Sequence, residues 1–66
     1  MTHYYVNKNA QANGDHEVHV RSCTYFPNDV KDLGEHSNCH AAVREAKKTY
    51  PKSNGCYYCT EECHTT

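Results

Sequence analysis

The chain contains no Ile, no Trp and one Met, and its Leu, Val and Phe together number seven: Val6, Val18, Val20, Phe26, Val30, Leu33 and Val43. That is roughly a tenth of the chain, against about 20% as the floor for an ordinary globular domain. The scarcity excludes a self-sufficient aliphatic core. Seven such side chains offer too little apolar surface to hold a folded chain of this length by themselves. Disorder is the other solution for a thin core, but its signature includes high net charge, and the formal charge here is −1. The composition therefore predicts one small domain, residues 1–66, held by a staple: a disulfide, a metal or a partner subunit.

Other absences narrow the function. No stretch is long and apolar enough to span a bilayer, so no membrane partner is expected. Seven Lys and Arg against eight Asp and Glu do not make the footprint of a nucleic-acid binder. The mildly basic "REAKKTYPK" reads as a solvated helix face. There is no Gly-rich phosphate loop, no G-x-S-x-G and no H-E-x-x-H, so neither hydrolase nor phosphate chemistry is indicated. The first ten residues, "MTHYYVNKNA", lack a basic head followed by an apolar run. This predicts a cytoplasmic chain in a reducing pool, where structural disulfides are rare. An odd number of cysteines, five, also argues against full pairing.

What the chain does have is β-alternation, one helical stripe, six tyrosines, five cysteines and six histidines. "HYYVNK" and "HEVHV" alternate, with Tyr4 and Val6 on one face of the first, and Val18 and Val20 opposite Glu17 and His19 in the second. Asn13-Gly14 between them is a turn signal. These predict a hairpin over residues 3–8 and 15–21, and "VKDLG", after the Pro27 turn, a third strand over 30–34. In "SNCHAAVREAKKTY", Cys39, Ala42, Val43, Ala46 and Tyr50 form one stripe, Ser37 is placed to cap, and Pro51 stops the helix, predicted over 38–50. The expected fold is α+β: a three-stranded antiparallel β-meander, one helix packed on one face, and a cysteine-rich C-terminal knuckle.

The chemistry concentrates in two stretches, "HEVHVRSC" and "CYYCTEECH". Cys56 and Cys59 form C-x2-C after Asn54-Gly55, a spacing that lets two thiolates bind one zinc ion at about 2.3 Å. His19 and Cys23 are the natural complement, giving a closed Cys3His site that ties the hairpin to the tail. One condition attaches. Residues four apart in an unbroken strand lie about 13 Å from each other, so the chain must bend at Arg21-Ser22. If it runs straight, Cys63, His64 or Cys39 must complete the set. Cys39 otherwise belongs to the core stripe. Cys63 has no evident core to enter, Tyr57 and Tyr58 are expected to cap the core, and His3, His16, His36 and His40 are expected at the surface.

Two other readings compete with zinc. In one, Cys56 and Cys59 are a redox or thiol-reactive pair; Glu61 and Glu62 beside them oppose a low thiol pKa, and the βαβ context of thioredoxins is missing. In the other, disulfides stabilise a purely structural fold, with two bridges and a free thiol.

The pattern "YYVN…NGDHEVH…C…P…LG…C..AV..A…NGCYYC…CH" resembles a family of short bacterial proteins, a resemblance that spans nearly the whole chain and implies no activity. More distantly, the order H-x3-C, strand, helix with paired Ala, C-x2-C is similar to small zinc modules such as the N-terminal zinc domain of the bacterial DNA-alkylation-repair methyltransferase. That resemblance implies Cys23, Cys56 and Cys59 as ligands. The chain departs from it at His19, where that domain has a cysteine, and in its balanced charge, so no reaction carries over. Taken together, these readings predict a zinc-stapled binding module with no enzymatic activity of its own, acting on a protein partner.

Overall fold

The structure, a computed structural model, describes residues 1–65. The alternating N-terminal stretches form the middle of a sheet. β1 (Thr2–Asn7) pairs antiparallel with β2 (His16–Val20), with Tyr4 opposite Val20 and Val6 opposite Val18. The turn between them carries Gly14 at φ +91°, a conformation glycine adopts without steric cost.

The third strand corrects the expected meander. β3 (Val30–His36) runs antiparallel to β1, not β2, and continues two residues past the expected end. The cause lies in residues 21–29. They are not a tight turn but a knuckle that crosses the sheet and delivers the chain beyond β1, where Lys8 N–H donates to the Asp29 carbonyl at 3.0 Å. The vacant edge of β2 is taken by an unforeseen strand, β4 (Ser53–Gly55), running parallel to it. The result is a mixed four-stranded sheet in the order β3-β1-β2-β4. β3 carries a bulge: Tyr4 faces Gly34 and Tyr5 faces Asp32, leaving Leu33 unopposed and buried. Gly34 at φ +80° and its N–H bond to Asp32 Oδ1 at 2.7 Å form the bulge.

The helix α1 (Cys39–Ala46) is shorter than its stripe suggested. Its cap is Asn38, whose Oδ1 accepts from Ala41 N–H at 2.9 Å, and not Ser37 one residue earlier. The carboxamide here takes the orphan first-turn donor. After Ala46 the chain loosens into turns through Thr49. Cys39, Ala42 and Ala46 pack on Tyr4, Val6, Val18 and Leu33, with Val20, Val43 and Tyr50 at the margin.

The opposite sheet face is covered by the knuckle. Tyr5 and His19, cross-strand neighbours, meet Phe26 edge-on at ring-centroid distances of 5.2 and 6.3 Å. Arg21 lies over the Tyr5 and Phe26 rings at 5.8 and 5.3 Å. After β4 the tail turns through a 3-10 segment, η1 (Glu61–Cys63), to join the helix side. No helix among the described residues is long and apolar enough to cross a membrane.

Candidate metal centre

β2 ends at Val20, and the chain bends at Arg21-Ser22, as a shared site requires. Cys23 N–H donates back to the Val20 carbonyl at 3.1 Å, closing the turn that folds Cys23 over His19. The second half arrives through β4. Its pairing with β2 sets Gly55 opposite Val18, and Cys56 N–H donates to the Val18 carbonyl at 3.0 Å. Thr60 closes the C-x2-C loop: its N–H donates to the Cys56 carbonyl, and its buried hydroxyl reaches the carbonyls of Val18 at 2.9 Å and Cys56 at 3.1 Å.

The structure thus brings His19, Cys23, Cys56 and Cys59 together, with one donor atom from each lying within 4.8 Å of the others. Cys23 Sγ is 3.9 Å from Cys56 Sγ, and Cys59 Sγ is 3.7 Å from His19 Nδ1. A tetrahedral site with metal–sulfur bonds near 2.3 Å has edges of about 3.8 Å, so these separations fit one ion. His19, Cys23 and Cys56 are buried and Cys59 is half-buried. The other ring nitrogen of His19, Nε2, lies 3.8 Å from Glu17 Oε1. The carboxylate is near the imidazole but beyond hydrogen-bond distance. Glu17 and His19 share a strand face, so the alternation already carried this signal.

Burial shifts the pKa of three of these side chains. It lowers the His19 pKa and so favours the neutral imidazole a metal requires. It pushes the Cys56 and Cys59 thiols up, away from the range of reactive thiolates. These four side chains are a group that could hold a metal ion.

The substitutes lie elsewhere. Cys63 forms a disulfide with Cys39 across the helix face, and His64 Nδ1 donates to the Gly55 carbonyl at 2.9 Å. Cys63 does find a core, correcting the expectation that its polar neighbours leave it none: η1 turns its side chain under α1. No local spacing announces the Cys39–Cys63 pair, 24 residues apart. Tyr57 and Tyr58 do not cap the core. They are 52% and 67% exposed, because the C-x2-C loop directs its sulfurs inward and its middle residues outward. His40 is exposed as expected, but His3, His16 and His36 are half-buried, His16 stacked on Tyr50 at 4.1 Å.

Compared with known proteins, the chain matches no family model, no curated protein and no solved structure.

Proposed function

We propose that this chain is a zinc-stapled binding module of the cytoplasm, with no enzymatic activity of its own, that presents its surface to a protein partner. The observation that carries the reading is the four-donor cluster of His19, Cys23, Cys56 and Cys59 within 4.8 Å. Three sulfurs and one imidazole nitrogen suit zinc, which imposes no geometry of its own and favours thiolates. Four protein donors close the site, leaving no position for a hydrolytic water. An apparent 10–16 kcal/mol from a structural zinc in a small peptide is of the size a core this thin needs.

The partner reading rests on Tyr25, Tyr57 and Tyr58. All three are exposed, and Tyr58 contacts both others at centroid distances of 4.4 and 5.2 Å. Tyrosines with an apolar face and a polar tip suit protein interfaces. Glu61 and Glu62 follow immediately in the chain, and the balanced net charge disfavours a polyanion. The thiol-redox alternative lacks support: Cys56 follows a strand and starts no helix, and its thiol is raised, not lowered.

The test is removal of zinc by a chelator under mild reductant, followed by circular dichroism. The expected result is loss of the fold and its recovery on adding one equivalent of zinc, with no recovery in Cys56→Ser. A metal-free chain that keeps its fold and its cooperative melt contradicts the reading.

A further inference from the structure

We propose that Cys39, His40 and Cys63 form a second metal site, available when the Cys39–Cys63 disulfide is reduced. One donor atom from each of the three lies within 4.8 Å of the others. The site is on the helix side of the sheet, whereas the first centre is beneath the knuckle on the other side. Cys39 opens α1 and Cys63 ends η1, their Cα atoms 6.2 Å apart. Both cysteines are buried, so the two sulfurs stay neighbours when the bond between them opens.

His40 is what separates this pair from a plain structural bridge. The other five histidines have partners: His3 with Asp32, His16 with Asn7, His19 with Cys59, His36 with Leu33 and His64 with Gly55. Among the described residues, the His40 side chain has no hydrogen bond, ion pair or ring contact, and it is exposed beside the two sulfurs. A groove of about 350 Å³ lined by His40, Val43, Arg44, Lys47, Glu62 and Cys63, among others, gives a small reductant or a metal ion access to Cys63. The donor set, two sulfurs and one imidazole, selects a thiophilic ion of the zinc type.

A small dithiol gives two electrons and two protons to the Cys39–Cys63 bond and closes to its own disulfide, leaving two protein thiols. Zinc then displaces both thiol protons, forming two Zn–S bonds and one Zn–N bond to His40. Two thiolates and one divalent cation are neutral together, so the buried sulfurs hold no net charge. In a reducing compartment this state replaces the disulfide.

The experiment compares zinc stoichiometry by native mass spectrometry in the disulfide form and in the form reduced with a dithiol and then freed of it. One more zinc in the reduced form supports the second site, and equal counts overturn it. The count in the disulfide form, one or none, reads the first centre separately. His40→Ala changes an exposed side chain and leaves the fold intact. It is expected to abolish the extra zinc while keeping the count of the disulfide form. An extra zinc that survives His40→Ala overturns the assignment of His40, and one that survives Cys39→Ser overturns the site.

Discussion

Gly55→Ala is the sharpest test of how the C-terminal knuckle is packed. A Cβ built on Gly55 stands 2.7 Å from Cys63 Cβ, 2.7 Å from the Thr60 carbonyl oxygen and 2.8 Å from the Cys63 carbonyl carbon. Carbon atoms prefer about 3.5–4.0 Å, so the overlaps approach an ångström. Two of the three atoms are backbone and cannot rotate away. Relief requires moving residues 60–63, which also moves Cys63 from Cys39 and loosens the loop that carries Cys56 and Cys59. Overpacking typically costs about 1–3 kcal/mol, and a backbone clash belongs at the upper end or beyond. In a domain this size, ~3 kcal/mol lowers Tm by roughly 12–24 °C. Gly34→Ala is the comparator. Nothing lies within 4 Å of its Cβ position, so only the strain of φ +80° applies, about 1–2 kcal/mol. Thermal melts of the zinc-loaded proteins should rank wild type, then Gly34→Ala, then Gly55→Ala. A Gly55→Ala protein that melts within a few degrees of wild type, or above Gly34→Ala, refutes the packing argument.

Further consequences concern the centre and the helix. Thr60→Val removes the hydroxyl that reaches the Val18 and Cys56 carbonyls, but each carbonyl keeps a backbone donor, Cys56 N–H and Thr60 N–H. The cost should be about 1 kcal/mol, a fall of roughly 4–8 °C in Tm; a loss several times larger would show the hydroxyl to be essential to the fold. Zinc binding at neutral pH to the disulfide form should release protons from the Cys56 and Cys59 thiols, whose pKa values burial raises, and none from His19, whose pKa burial lowers. Affinity therefore rises with pH and is lost on acidification, with log affinity changing by about two or more per pH unit below the thiol range. Calorimetry in buffers of different ionisation enthalpy measures the number, and one proton or none contradicts the thiolate assignment. Asn38→Ala, which deletes the cap on Ala41 N–H, should cost about 1 kcal/mol, read by urea denaturation; an unchanged midpoint would show that the helix end does not need it.

Where the signal was local, the sequence foretold the structure. The alternation of "HYYVNK" and "HEVHV" set the hairpin, and the Cys39-Ala42-Ala46 stripe set the buried face of α1. The grouping of His19, Cys23, Cys56 and Cys59 followed from two short spacings and a required bend. Topology was less accessible. Whether β3 pairs with β1 or β2 depends on how residues 21–29 cross the sheet, a long-range outcome of Phe26 packing on Tyr5 and His19. β4 is Ser-Asn-Gly, three residues of low strand propensity, held by register with His16, Glu17 and Val18 rather than by its own preference. The Cys39–Cys63 pair was hidden for a similar reason: its halves lie on different elements and meet only once η1 turns under α1. One disulfide on the helix side, and on the other sheet face a group of four side chains that could hold a metal ion, stand where a larger fold would have aliphatic core.

The most direct test of the central claim is X-ray absorption at the zinc edge on the disulfide form loaded with one zinc. Ligation by Cys23, Cys56, Cys59 and His19 predicts three sulfurs at about 2.3 Å and one nitrogen at about 2.0–2.1 Å, with the outer-shell signature of an imidazole. A shell of nitrogen and oxygen alone, or one with fewer than three sulfurs, would contradict it.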